Sequence, residues 1–283
     1  MYSFDMPKIC YLHVGLHKTA STSFQSTCGN NIDLLQDAGI TYPWFSCAAA
    51  NKSRICNHSI PIFSLFTENP GNYHINKRWG ILSDIKEVNS AYESQLDGFL
   101  GTSKNMLISG EDISLLSAQS LSELIDKIHR YDYDIKATAL IRSPYSALCS
   151  LMQERIKGGR YCELISLNNS VPNSFGTASS SKSKIVKKLK SVFGKRICFH
   201  SFENACTHLH GPVGFLLKEF LSQDSSTFEY KKANESLSNL SVRMQNEFNA
   251  IEPAFAGNKV NARFQKFPPK VDERFGFSGN FLL

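Results

Sequence analysis

The sequence predicts an α/β fold: a three-layer sandwich in which helices cover both faces of a central parallel β-sheet. Three observations predict it. Short apolar runs such as ICYLHV, NMLIS, IKATALI and ICFHS alternate with stretches of helical periodicity, the pattern of parallel strands joined by crossover helices. The chain has 283 residues, 42% hydrophobic and 20% charged, which suits one large α/β domain or two small ones with a sizeable core. No apolar run reaches the roughly 18 residues of a membrane-spanning helix.

The elements follow in order. Residues 9–14 (ICYLHV) read as a buried strand, and residues 21–38 as a helix ending near Gly39. Residues 44–77 are rich in Cys, Asn, Ser and Pro, show no period, and read as an insertion or lid. Residues 105–109 (NMLIS) form the second strand, followed by a helix near 117–130. Residues 135–141 (IKATALI) form the third strand. Pro144 then opens a helix at its first turn, where a missing N–H costs nothing. Residues 158–181, with Gly158, Gly159 and the run TASSSKSK, read as a mobile loop. Residues 197–201 (ICFHS) are the fourth strand, and helices near 182–193, 211–222 and 237–250 complete the set. No internal repeat is present, so residues 1–283 are expected to form a single domain.

The net charge of +6 fits a protein that handles anions, but does not separate nucleotide, nucleic acid and acidic glycan. The 8 cysteines include no C-x-x-C pair, and Cys10, Cys149 and Cys198 sit in apolar runs. That usage predicts reduced thiols packed as small hydrophobes, and hence a cytoplasmic protein. The opening stretch MYSFDMPKICYLHVG lacks the basic flank, long apolar core and cleavage site of a signal peptide. No zinc-ligand spacing occurs, and no metal is expected.

Residues 13–25 read HVGLHKTASTSFQ. A strand ends at Gly15, a turn carries Lys18, and the hydroxyl residues Thr19, Ser21, Thr22 and Ser23 lead into a helix. The first N–H groups of a helix lack internal partners and carry the positive end of the helix dipole. With a lysine and hydroxyl donors beside them they make a cradle for a phosphate-like anion. The segment is not a Walker A loop, because no G-x-x-x-x-G-K-S/T is present, and no G-x-G-x-x-G occurs either. A second motif, TALIRSPYSALCSL at 138–151, places Arg142 at a strand end and Ser150 eight residues on. Eight residues are about two helical turns, so the arginine fork and the hydroxyl can face one side.

The G-x-x-K-T-x-S-T pattern from Gly15 to Thr22 resembles the 5′-phosphosulfate loop of sulfotransferases, and the Arg142/Ser150 spacing resembles that family's 3′-phosphate-binding pair. The segments at 30–43 (NNIDLLQDAGITYP), 193–203 (FGKRICFHSFE) and 233–244 (ANESLSNLSVRM) extend the likeness to bacterial and carbohydrate-type members over most of residues 8–250. The resemblance implies a P-loop nucleotide-binding-like fold and 3′-phosphoadenosine 5′-phosphosulfate (PAPS) as sulfuryl donor. It implies that Gly15, Lys18, Thr19, Ala20, Ser21, Thr22 and Ser23 hold the donor's 5′ end, and Arg142 and Ser150 its 3′-phosphate. Ala20 stands where many members carry Gly, so the loop is expected to take a conformation that alanine tolerates.

The implied chemistry is sulfuryl transfer to an acceptor hydroxyl, most naturally of a carbohydrate, with Lys18 stabilising the leaving oxygen. The acceptor needs a base. Glu111 is the first candidate, because it follows the strand NMLISG and should emerge at the sheet's carboxyl edge, where open α/β sheets bind ligands. His17, adjoining Lys18, is the second. His13 lies within a strand and reads as structural, and His58 and His74 fall in the 44–77 segment. KSKIVKKLKSVFGKR at 182–196 reads as an amphipathic helix with a solvated lysine face. No nucleic-acid partner is implied. A nucleotide-binding protein of this fold without catalysis and a nucleotide-dependent kinase stay open as alternatives.

Overall fold

The computed structural model describes residues 7–102, 104–162, 173–231, 237–256 and 259–266. The reading of residues 1–6, residues 163–172 of the 158–181 loop, and the start of the 233–244 segment fall outside the described residues. Contacts divide the chain into two compact units, residues 1–141 with 182–233, and residues 142–181 with 234–283.

In chain order, the elements of the first unit begin with β1 (Lys8–His13), α1 (Ser21–Asn30), α2 (Ile32–Asp37) and β2 (Ile40–Thr41). A hairpin of β3 (Phe45–Cys47) and β4 (Lys52–Ile55) follows, then α3 (Ser59–Phe66), α4 (His74–Trp79) and α5 (Ile85–Leu100). Next come β5 (Asn105–Ser109), a 3-10 turn at Asp112–Leu115, α6 (Ala118–His129) and β6 (Tyr133–Ile141). The chain continues through α7 (Pro144–Lys157) and α8 (Asn173–Phe193) to β7 (Ile197–Ser201), α9 (Phe202–Cys206) and α10 (Gly211–Phe215), which runs on into a π-helical turn at Leu216–Phe220. Then α11 (Asn239–Ile251) precedes the short hairpin β8 (Phe255–Ala256) and β9 (Lys259–Val260).

The first unit is built on a five-stranded sheet in the order β2-β5-β1-β6-β7, and every neighbouring pair is parallel. Strand side chains alternate between the two faces, and the core divides accordingly. Cys10, Leu12, Met106, Ile108, Ala137 and Ala139 face one core, which α5, α6 and α8 cover with residues such as Tyr92, Leu96, Leu124, Ile128, Leu189 and Phe193. Tyr11, Leu107 and Leu140 face the other, covered by Phe24, Cys28, Leu35, Leu216 and Leu217 from α1, α2 and the α10 region. The architecture is the α/β sandwich around a parallel sheet that the alternation predicts.

Several local readings change. The helix expected over 21–38 is broken in two at Asn31, whose φ of −119° is not helical. Its side chain explains the break: Asn31 Nδ2 donates to the Thr27 and Glu229 carbonyls while Oδ1 accepts from Glu229 N. Such side-chain bonds offer the backbone an alternative to the helix. α5 adds a helix to the expected set, with Val88, Tyr92, Leu96 and Leu100 buried every fourth residue. Residues 173–181, expected to be loop, are helical backbone at the start of α8. Cys198 is exposed rather than packed, since it stands on the edge strand β7; Cys149 is half-buried and Cys10 buried.

The 44–77 segment is folded into the first unit rather than standing apart from it. Phe45, Cys47, Ile55 and Ile62 belong to the main core. The N-terminus of α3 abuts the end of β5 so closely that a Cβ on Gly110 would lie 2.6 Å from Ser59 N. Only glycine allows that approach.

The second unit packs α7 against α11 through Ile156, Leu237 and Val242. Buried amides of α11 tie down the chain after α7. Asn249 Nδ2 donates to the Ile156 and Arg160 carbonyls, and Asn246 bonds both the N–H and the C=O of Cys162.

Candidate active site

The site-bearing loop starts where β1 stops. His13 lies beside Ser109 of β5 and Thr138 of β6, so the chain leaves the sheet between its two central neighbours. Val14 N still bonds the Thr138 carbonyl, and Gly110 N the His13 carbonyl, both at 3.0 Å. The turn that follows is strained. Lys18 has a φ of 72° and Ala20 a φ of 63°, left-handed values that cost a residue with a Cβ about 1–2 kcal/mol each. Alanine at position 20 therefore does not steer the loop away from positive φ, contrary to expectation. The surrounding hydrogen bonds overrule the local preference.

Gly15 makes the turn possible. A Cβ there would lie 2.4 Å from Ser21 Oγ and within 3.2 Å of the His13 ring. Thr19 is buried, and its hydroxyl donates to the Leu16 carbonyl within the loop, so it braces the loop instead of reaching outward. Ser21 Oγ is buried and makes no hydrogen bond, and the same holds for His13 Nε2. Ala20 offers no side-chain cap to α1, so no hydroxyl or carboxylate of residue 20 covers the helix's first amides. Thr22 is exposed and Ser23 half-buried.

Beneath the loop lies a sealed floor. His13 Nδ1 shares a 2.8 Å hydrogen bond with Ser109 Oγ, and Ser109 N donates to His58 Nδ1 at 2.9 Å. His58 Nε2 donates to the Pro43 carbonyl at 2.7 Å, and Gln25 Nε2 to the Ser109 carbonyl at 3.1 Å. Both histidines are fully buried, and burial pushes each down to about 4. His58 is thus a structural tie, not a group poised to reach an acceptor.

Beside the loop lies a charged mouth. Glu111 follows β5 directly, and Asp112 opens the 3-10 turn, its N–H donating to Ser59 Oγ at 3.1 Å. His17 lies between the two carboxylates, with Nε2 3.1 Å from Asp112 Oδ1 and Nδ1 3.7 Å from Glu111 Oε2. The far oxygen of Asp112 accepts a 2.7 Å hydrogen bond from Tyr73 Oη. The side chains of His17, Glu111 and Asp112 are 44%, 25% and 8% exposed. The Asp112 hydrogen bond raises the His17 pKa above its usual value; partial burial and the nearby Lys18 charge oppose this, and Glu111 adds to it. Burial alone would raise Asp112, but its bonds to His17 and Tyr73 outweigh that and hold the carboxyl below the usual range. Burial, then Asp112, push the Tyr73 phenol up. Lys188 of α8 anchors the same turn by donating to the Ser114 and Leu116 carbonyls, so one lysine of the expected solvated face is a structural clamp.

The structure therefore brings Glu111 and His17 together beside the Lys18 loop and adds Asp112, Tyr73 and Ser59. Glu111 and His17 are the sequence's own candidates; of the three added residues only Asp112 adjoins one of them in the chain, and Tyr73 and Ser59 come from the aperiodic 44–77 segment. His74 is exposed, and its charge acts on Asp112. Arg142 and Ser150 belong to the second unit. Ser143 caps α7 with Pro144 at its first position, and Arg142 Nε donates to Ser146 Oγ at 2.5 Å. Ser146 and Ser150 lie one turn apart on α7, so Ser146 joins a stripe that the Arg142/Ser150 spacing had skipped. Among the described residues no group of three or more His, Cys, Asp or Glu is placed to hold a metal ion, and no helix is long and apolar enough to cross a membrane.

No family model matches the chain, and no curated protein matches it. Solved structures similar to it include a sulfotransferase from Alicyclobacillus acidocaldarius, at 17% identity and a TM-score of 0.43, over 87% of this chain and 92% of that one. A retinol dehydratase in complex with androsterone and the inactive cofactor PAP is similar at 14% identity and a TM-score of 0.35. This chain is covered over 85% there and spans 64% of the dehydratase, less than two thirds of its length. A structure from the PezAT chromosomal toxin–antitoxin system of Streptococcus pneumoniae is similar at 13% identity and a TM-score of 0.34, over 88% of this chain and 87% of that one.

Proposed function

We propose that this chain transfers a sulfuryl group from PAPS to an acceptor hydroxyl, with carbohydrates as the acceptor class. One observation carries the reading: a strained strand–loop–helix turn that carries Lys18 leaves the α1 N-terminus uncapped, with the buried Ser21 hydroxyl beneath it lacking a hydrogen-bond partner. Strain kept at such a turn calls for a functional reason, and an anion supplies one. The residues fit the donor's 5′ end. The α1 amides and the hydroxyls of Ser21, Thr22 and Ser23 are hydrogen-bond donors at the positive end of a helix dipole. Gly15 leaves room for the Ser21 hydroxyl at the turn, while Thr19 and Ala20 shape the turn. Arg142 and Ser150, joined by Ser146, are proposed for the 3′-phosphate on the strength of the sequence resemblance.

The donor, when bound, supplies the sulfuryl group and a bisphosphate leaving group. Lys18 is assigned to supply an ammonium to the charge that grows on the leaving oxygen, an interaction stronger in the transition state than in the ground state. Glu111, at the carboxyl edge of β5, takes the acceptor proton. His17 stands next to it. No residue of the proposal calls for a metal.

Isothermal calorimetry tests the donor site: adenosine 3′,5′-bisphosphate should bind far more tightly than AMP, and Arg142→Ala should weaken it by about 2–3 kcal/mol, the scale of a charged hydrogen bond. A radiolabelled-PAPS assay over a glycan panel tests turnover, and Lys18→Ala should lower it roughly a hundredfold. Equal affinity for AMP, or transfer from ATP in place of PAPS, overturns the reading.

A further inference from the structure

His17 stands on a loop with a partly exposed ring, and a free imidazole there would turn between rotamers. Here it is pinned from one side. Nε2 meets Asp112 Oδ1, Asp112 Oδ2 is held by Tyr73 Oη, and Asp112 N–H is held by Ser59 Oγ. Ser59 in turn is fixed by Asn57 Oδ1 on its own N–H. The line comes from three separate parts of the chain: the β1 loop, the turn after β5 and the 44–77 segment. Its consequence is directional: with Nε2 occupied by a carboxylate, Nδ1 is turned toward Glu111 Oε2.

We propose that Asp112 and Tyr73 are positioning residues that hold the His17 proton on Nε2, so that Nδ1 accepts the proton Glu111 draws from the acceptor. The proposal rests on the sulfuryl-transfer reading of the same site. As the acceptor oxygen bonds to sulfur, its O–H bond breaks and the proton goes to a Glu111 oxygen. The electron pair of the breaking sulfur–oxygen bond leaves with the nucleotide. Glu111 then hands the proton to Nδ1 and is again a carboxylate, and the imidazolium, flanked by two carboxylates, releases it to solvent from the exposed ring. The 3.7 Å gap exceeds a hydrogen bond, so the hand-off takes a small rotation of the Glu111 side chain or one bridging water. The groups that set the charge of His17 are Glu111 and Asp112 on the turn after β5 and Lys18 on its own loop, with Tyr73 and His74 acting through Asp112. The arrangement follows the logic by which a buried carboxylate fixes the tautomer of a catalytic imidazole.

The test uses the full chain, uniformly 15N-labelled, with the imidazole resonances followed through a pH titration and His17 assigned from His17→Gln. In the wild type His17 should titrate above an ordinary histidine. Asp112→Asn, nearly isosteric, should lower that midpoint by about half a unit or more, and Tyr73→Phe should lower it less. The acid limb of the pH–rate profile should move down by the same amount in Asp112→Asn, because Nδ1 must be unprotonated to accept. An unshifted His17 midpoint in Asp112→Asn, with thermal melting unchanged, overturns the positioning line. A lower plateau with an unmoved acid limb shows a merely structural Asp112 and overturns it too. A shifted His17 midpoint in a protein with no sulfuryl transfer from PAPS sinks the transfer reading and the hand-off, and leaves the positioning of His17 standing.

Discussion

His13 and His17 lie four residues apart, yet one belongs to the sealed floor of the site and the other to its charged mouth. Both sit at the carboxyl edge of the same strand, and both are hydrogen-bonded. The floor offers His13 a neutral partner and no solvent exposure, so the cation is penalised and the ring stays neutral. The mouth offers His17 two carboxylates and partial solvent, so the cation is favoured. The direction of a histidine's shift is thus set by what faces it, and one turn of loop is enough to reverse it.

The largest effect expected from breaking this contrast is chemical and falls on the mouth. Glu111→Gln keeps shape and nucleotide affinity but cannot take a proton, so turnover should fall about a hundredfold to ten-thousandfold. Steady-state rates with PAPS at saturating acceptor read this directly. Near-normal turnover in Glu111→Gln together with a dead His17→Gln would move the base to His17.

The next effect belongs to the floor and appears as acid sensitivity. His13 and His58 titrate near 4 when folded and near 6.5 when unfolded, so the unfolded chain binds more protons between those values. Stability should therefore be full above about pH 6.5 and be lost as pH falls toward 4, by a few kcal/mol in all. His17 has the opposite sign. Its raised value contributes stability that is present below pH 6.5 and lost as pH rises through its folded midpoint. Guanidinium unfolding across pH 4.5–8 should show the floor's signature, and His58→Gln should flatten it. An acid limb that His13→Gln and His58→Gln both leave unchanged would show that the floor is not its source.

Gly15→Ala joins the two regions, because the added methyl would press on both Ser21 Oγ and the His13 ring. Overpacking of this kind costs about 1–3 kcal/mol. The variant should melt lower and bind the bisphosphate nucleotide poorly; unchanged melting and affinity would mean the loop has room that the geometry denies it. The smallest effect is a gain. Ala20→Gly relieves a left-handed alanine while loosening the unfolded chain, for a net stabilisation of roughly 0.5–1 kcal/mol. Differential scanning calorimetry would register it as a higher Tm, and a lower Tm would show that the alanine methyl makes a contact worth more than the strain.

The parallel sheet, the loop after its first strand and the emergence of Glu111 at the carboxyl edge were legible because they are local. Short continuous apolar runs mark buried strands, and a residue just past a strand must leave the sheet. The α5 stripe of Val88, Tyr92, Leu96 and Leu100 is local too, an apolar residue at every fourth position. Asn31 was less legible: its side chain breaks a helix by bonding to Glu229, a partner 198 positions away. Tyr73 and Ser59 were not legible at all, since nothing periodic in residues 44–77 says that their hydroxyls will meet Asp112.

By itself the sequence determined the α/β class, the order of the strands along the chain, and a lysine-bearing turn at a helix start. Each follows from spacing, which is a property of neighbours. The tertiary structure alone decided that Ala20 and Lys18 would be left-handed, that His13 would be neutral beside Ser109, and that His17 would lie between Glu111 and Asp112. Those outcomes depend on burial and on the charges of distant segments brought within hydrogen-bond reach. Dielectric and pairing act through space, so no window along the chain contains them.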